Sequence, residues 1–277
     1  MPERIPSSVL FPAPVSPVEE PACEAVASEK EQQIARLRAA LFKLENSQDI
    51  QGAPPLSLGD LDRLLPWQGL PVGVLNEITA DYVHRPAAFG FTFALMALGQ
   101  RRRPGPVILV MSRRALQDFG HPYGHGLAQL GLDVGDLILV EADKDIDALW
   151  AIEEALRARG SVALVAGAIT AGIDLTVARR LNLAAASTAT PLVVLRTKGA
   201  EAGPAATRWR IETSPAERDR YGGFGRWRWL ARLERCRNGR PGEWIIEWSH
   251  VAHRFHLVES LADRAPAAQS SRLRRAG

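Results

Sequence analysis

Long apolar runs are missing from this chain. Its most apolar stretch, about Pro86 to Gln100, is too short to cross a bilayer and is followed by Arg101, Arg102 and Arg103, so no membrane span is expected. The first residues carry no positively charged segment leading into an apolar one, which argues against a secretory signal. Cysteine is nearly absent: the 277 residues include two, Cys23 and Cys236, and Cys23 falls in a tail rich in Pro, Ala, Ser and Glu. No structural disulfide is expected, which fits a reducing, cytoplasmic setting. No Cys or Asp cluster accompanies His121 and His125, or His250, His253 and His256, so no metal site is expected and these histidines read as structural or surface groups. There is no G-x-S-x-G, no Cys/His pairing and no carboxylate pair placed for acid–base work. Asp143, Asp145, Asp147, Glu153 and Glu154 stand at the start or middle of a helical stretch, where the helix dipole accounts for them. The net charge of +3 and pI near 9.1 permit contact with nucleic acid without requiring it.

What is present suits one large domain, or one and a half: 46% of residues are hydrophobic and 23% charged. Residues 1–27 read as a disordered tail. Residues 28–47 read as a helix, with Ser28 and Glu31 forming a capping box and Ile34, Leu37, Leu41 and Leu44 a narrow apolar stripe. That stripe packs either on the chain's own core or on another protein. A linker, 48–56, leads to a core at 57–261, and 262–277 reads as a flexible basic tail. Leu58 to Leu65 suggests a short helix stopped by Pro66, and Pro122 to Leu130 another. From Val74 onward, apolar strand-like runs (Val74–Thr79, Val107–Met111, Leu137–Glu141, Val162–Ala166, Leu192–Leu195) alternate with helical patterns (Pro86–Gln100, Asp145–Arg159, Thr176–Ala189). That order predicts an α/β fold with a mostly parallel sheet and helices on both faces. After Lys198 the period changes to two. Ala206–Glu212, Arg226–Arg237 and Glu243–Ser249 alternate, the last two around a Gly-containing turn, which predicts antiparallel strands ending the sheet in a β-hairpin.

The stretch from Gly69 to Gln100 organises the rest. A turn, a short strand, a loop and an apolar helix follow in the order that frames a phosphate-cradling loop. The loop itself reads Ala80, Asp81, Tyr82, Val83, His84, Arg85, Pro86. It has no glycine to turn backbone N–H groups inward and no lysine for a phosphate. It also places an aspartate where negative charge would arrive.

In motif order the chain resembles the RecA-like ATPase core. GLPVGVLNEI is similar to its turn and first core strand. YGHGLAQLGLDVGDLILVEADKDIDALWAIEEALRARGSVALVAGAI is similar to the segment running to its Walker B strand. RCRNGRPGEWIIEW looks like the terminal hairpin of RadA and the replicative helicases. From roughly Leu56 to Glu259, with the N-terminal helix added, the chain resembles the ImuA family of bacterial damage-inducible mutagenesis proteins, relatives of RecA and SulA. Against the RecA-like pattern, the catalytic glutamate and the Walker B aspartate are missing as well as the lysine, and the sensor position is polar but not glutamine. Ser112, Arg113 and Arg114 stand where a catalytic glutamate would follow the second strand. The Walker B position reads Val165-Ala166-Gly167 with no aspartate, and Arg196 or Thr197 falls at the γ-phosphate sensor. Phosphoryl transfer depends on positioning and charge neutralisation, so a site without the lysine, metal ligand and base is not expected to catalyse it. No catalytic residue and no cofactor is therefore expected, and Ala80–Pro86 reads as a vestigial phosphate loop.

The resemblance implies an accessory protein of SOS-induced mutagenesis and translesion synthesis. Its implied partners are an ImuB-type Y-family-like protein and an error-prone DNA polymerase III alpha-type subunit, with RecA a further candidate. By the same likeness Ile34, Leu37, Leu41 and Leu44 are the candidate partner contact. Nucleic acid is expected to be reached through partners. Were it touched directly, Arg226, Arg228, Arg237 and Arg240, interleaved with tryptophans, are the candidate surface. The period of two argues instead for a core face of Trp227, Trp229, Ala231 and Leu233 against Trp244, Ile246 and Trp248, with Arg232 and Glu234 on an ion-paired outer face. Two other functional readings stay open. One is a divergent ATPase or nucleotide binder with Arg85 in the lysine's place. The other is a SulA-like division inhibitor acting on a tubulin-like filament protein.

Overall fold

The structure is a computed structural model and describes residues 53–158, 161–197, 204–216, 225–237 and 239–260. The expected N-terminal tail, the helix carrying Ile34, Leu37, Leu41 and Leu44, most of the linker and the basic tail lie outside the described residues. The described chain runs β1 (Leu75–Thr79), α1 (Arg85–Arg102), β2 (Val107–Ser112), α2 (Arg113–Phe119), α3 (Gly124–Gln129), β3 (Leu137–Ala142), α4 (Asp145–Arg157), β4 (Leu164–Ile169), α5 (Leu175–Thr188) and β5 (Leu192–Arg196). Then follow β6 (Thr207–Thr213), β7 (Arg228–Cys236), β8 (Gly242–Ser249) and β9 (Arg254–Ser260). Among the described residues the strands form one nine-stranded sheet in the order β3-β2-β4-β5-β1-β6-β7-β8-β9. From β3 through β6 neighbours run parallel, and from β6 through β9 they run antiparallel. The mixed α/β architecture with antiparallel C-terminal strands is the one the alternation predicts.

The two faces of the sheet are covered differently. On one lies α1, whose residues Phe91 to Gly99 are all buried. A helix apolar all round needs cover all round. Ile78, Leu109, Met111, Val193 and Leu195 of the parallel strands join its core. The rings of Trp209, Trp229 and Phe255 surround Phe91 at centroid distances of 6.4, 6.0 and 5.1 Å. The Trp229 indole N–H donates to the Ala87 carbonyl at 3.0 Å. Gly99 is required by this packing, since a Cβ there would sit 2.7 Å from Leu164 Cβ. On the opposite face Ala148, Ile152 and Leu156 of α4 and Ala178, Leu181 and Ala185 of α5 bury against Leu75, Ile108, Val110, Val165 and Val194. Ser112 and Asp174 cap α2 and α5 by accepting from the N–H groups of Ala115 and Val177.

Several elements differ from expectation. Leu58–Leu65 is not a helix. It makes one 3-10 turn, Asp62–Leu64, beside an antiparallel bridge between Leu56 and Leu70, so Leu58, Leu61 and Leu65 are buried without helical spacing being used, while Leu64 is exposed. β4 begins two residues later than Val162 and ends at Ile169, which puts Ile169 and Thr170, not Gly167, at the strand's end. Ile146, in the first turn of α4, is 70% exposed and stands apart from the buried face of that helix. The α2 helix and the last antiparallel strand, β9, have no counterpart in the sequence reading, and β9 rather than the hairpin ends the sheet. β3 is an edge strand, and Ile138 and Leu139 are exposed there.

Candidate functional site

β1 stands between β5 and β6, and its loop opens at the carboxyl end of the parallel strands, where open α/β sheets place ligands. A 3-10 turn, Tyr82–His84, fills this loop and leads directly into α1, with Pro86 in the first turn as helix starts favour. The candidate loop Ala80–Pro86 therefore does join a central strand to a long helix. Its side chains are already engaged. Arg85 Nη1 lies 3.1 Å from Asp118 Oδ2, its Nη2 donates to the Thr197 carbonyl at 3.4 Å, and its guanidinium sits 4.8 Å from the Tyr82 ring centre. Asp81 lies 2.9 Å from Arg210, which also binds Glu234 at 2.6 Å. Those two carboxylates hold the Arg210 guanidinium above its usual range, the Glu234 hydrogen bond most strongly. His84 Nδ1 accepts from the Thr213 N–H at 3.3 Å and lies 3.0 Å from its hydroxyl. Only Tyr82 and Val83 of this loop present large apolar groups to solvent.

Just inside the loop, β1 carries Glu77, which is wholly buried. Its Oε2 accepts from Arg208 Nε at 2.9 Å and from Arg196 Nη2 at 3.1 Å, and Arg208 Nη2 stands 2.8 Å away. Arg196 and Arg208 are themselves buried, on β5 and β6. Register explains the meeting: Glu77 pairs with Arg208 across β1–β6, and Thr79, two residues on and on the same face, pairs with Arg196 across β1–β5. Burial pushes the Arg196 guanidinium down and Glu77 opposes that. The sensor-position arginine is thus a member of an internal ion cluster. Nearby, the Asp145 carboxylate accepts from the N–H groups of Thr170 and Ala171 and from the Thr170 hydroxyl. Burial pushes Asp145 up, but hydrogen bonds from Ser112, Thr170 and Ala171 outweigh it and leave its carboxyl below the usual range.

The arginine-rich hairpin resolves into two faces. Trp229, Ala231, Leu233, Trp244, Ile246 and Trp248 are buried, as the period of two requires, while Trp227 is 40% exposed and meets the His250 ring edge-on. Trp227 precedes β7 and so escapes its alternation. On the other face Arg226 and Arg228 converge on Glu247 at 2.7 and 3.0 Å, and Arg232 binds Glu212 and Glu243. Glu234 is bound by Arg210 of β6. Arg237 and Arg240 are exposed near the turn. The histidines are dispersed: His121 near Glu141, His250 and His253 on the Gln129 and Leu130 carbonyls, and His256 on Asp60. No helix among the described residues is long and apolar enough to cross a membrane.

No protein-family model matches the chain. Over 237 residues it is 37% identical to Protein ImuA of Caulobacter vibrioides strain NA1000 / CB15N, covering 78% of this chain and 93% of that protein. Protein ImuA of Caulobacter vibrioides strain ATCC 19089 / CIP 103742 / CB 15 matches with the same identity and coverage.

Proposed function

Because the chain belongs to the ImuA family, we propose that it serves damage-induced mutagenesis as a RecA-like docking body that does not hydrolyse nucleotide. It binds an ImuB-type Y-family-like protein and an error-prone DNA polymerase III alpha-type subunit, with RecA as a further partner. One observation supports this reading above the others. At the carboxyl end of the central strand, the loop that would cradle phosphate is closed by the protein's own ions. Asp118 and the Thr197 carbonyl hold Arg85, and Asp81 is bound to Arg210. A triphosphate would have to break both pairs and approach two carboxylates, with no lysine in the loop to receive it. The same strand ends offer Ser112, Thr170 and Thr197 in place of a base and a metal ligand. The partner contact assigned to this body is the Ile34, Leu37, Leu41, Leu44 stripe, whose spacing makes one apolar seam.

Two measurements test the proposal. Titration calorimetry with millimolar ATP and magnesium should give no binding heat, and a heat lost in Arg85→Ala would instead favour a divergent nucleotide binder. Pull-down of the purified chain with the two polymerase-type partners should succeed and fail for the Leu37→Asp/Leu41→Asp variant. Capture unchanged by that variant would remove the stripe from the contact, and arrest of tubulin-like filament assembly would support a SulA-like role in place of this one.

A further inference from the structure

A second feature lies away from the loop, at the other end of α1. The last turn of that helix, the segment from Pro54 to Asp62 and the start of β9 enclose a cleft of about 620 Å³. Leu98, Arg101 and Arg102 of α1 and Arg254 of β9 line it. Several arginines of the described chain are matched to carboxylates: Arg85 to Asp118, Arg180 to Glu153, Arg210 to Asp81 and Glu234, Arg232 to Glu212 and Glu243. The three in this cleft are not. None has a carboxylate within ion-pair distance among the described residues. Arg101 and Arg254 are exposed, and Arg102 gives one Nη2 hydrogen bond to the Pro54 carbonyl at 2.5 Å while its Nε is buried with no acceptor. Asp60 and Asp62 also line the cleft, but each is spent internally. Asp62 accepts from the Ser57 hydroxyl and the Leu58 N–H at 2.5 and 2.6 Å, and Asp60 accepts from the Leu257 N–H and lies beside His256.

We propose that this cleft binds the phosphodiester backbone of a single nucleic-acid strand, a function beyond the protein docking argued above. Guanidinium forks match phosphate oxygens in pairs, and three forks drawn from two elements onto one cleft make a track rather than a point charge. A helix C-terminus explains cations at Arg101 and Arg102 one by one. It does not explain why β9 brings Arg254 to the same cleft. A cleft of about 620 Å³ has room for a nucleotide-sized group, so a single strand with its bases unpaired is the fitting occupant. The ion-paired arginines at Glu247 are not needed for this contact.

Fluorescence anisotropy of the full chain with a labelled oligothymidylate of about 16 nucleotides tests the proposal. Binding should weaken with salt at a log–log slope of about −2, as about three released counterions require on single strands. Arg101→Gln/Arg254→Gln, two exposed positions, should cost about tenfold or more in affinity and flatten that slope to about −0.7. Arg101→Lys/Arg254→Lys should keep most of the slope. An unchanged affinity and slope in the glutamine variant would overturn the assignment. So would loss of binding in Arg226→Gln/Arg228→Gln alone, or polyglutamate competing as well as the oligonucleotide, which would make an acidic peptide the ligand.

Discussion

Replacing Glu77 by glutamine removes the anion on which two buried guanidiniums converge while leaving the side chain's shape. Glu77 Oε2 receives Arg208 Nε at 2.9 Å and Arg196 Nη2 at 3.1 Å, and the three residues are 0, 5 and 3% exposed. Arginine cannot relieve the loss by deprotonating near neutral pH, so two like charges would remain in low dielectric. Breaking a buried pair by removing one partner costs about 3–5 kcal/mol. A domain of this size shifts by about 2–4 °C per kcal/mol, so Tm should fall by about 6–20 °C. Urea denaturation of the full chain at pH 7 should show a lower midpoint, and Arg113→Gln, at the solvent-facing pair with Asp143, should change stability by less than about 1 kcal/mol. Removing all three charges in Glu77→Leu/Arg196→Met/Arg208→Met should restore much of the stability, because the desolvation cost goes with the ions. A Glu77→Gln protein within about 1 kcal/mol of wild type would refute the claim that this cluster is coupled as described.

Gly99→Ala should cost about 1–3 kcal/mol in denaturant unfolding, since the new methyl would lie 2.7 Å from Leu164 Cβ and force α1 off β4. Stability should also fall in acid. Asp145 and Glu247 are both held below the usual carboxylate range: burial opposes this in each, and hydrogen bonds from Ser112 and Thr170, or from Arg226 and Arg228, prevail. A carboxylate with a depressed folded pKa gives stability that is fully present above the unfolded value near 4 and is lost as pH drops through the folded value. Unfolding measured from pH 6 to pH 2 should therefore steepen below about pH 4, and Asp145→Asn should flatten part of that slope. Trp229→Phe should cost about 1–3 kcal/mol by thermal melting, as it leaves the Ala87 carbonyl without its indole donor.

Much of the fold was readable because hydrophobic period reports burial directly. The continuous runs at Val107–Met111 and Leu192–Leu195 are buried strands, and the alternation around Trp229 and Trp244 is a core face. What escaped reading had conflicting local signals. The Leu58–Leu65 leucines have helical spacing, yet the Leu56–Leu70 bridge and the Gly59–Phe255 bridge decide their geometry. β9 carries Arg254, His256 and Glu259 at an edge, so its sequence lacks the apolar weight by which strands are recognised.

The sequence by itself determined the alternation of elements, the change to antiparallel strands and the lack of any glycine or lysine between Ala80 and Pro86, because these depend on residue type and spacing along the chain. Only the tertiary structure decided which charges meet. Glu77, Arg196 and Arg208 lie on three strands and come together through register, Arg85 finds Asp118 across the loop, and Arg101 and Arg254 share a cleft although 153 positions separate their numbers. Coulomb energy depends on distance in space and on the dielectric around each group, and neither is written in the order of residues.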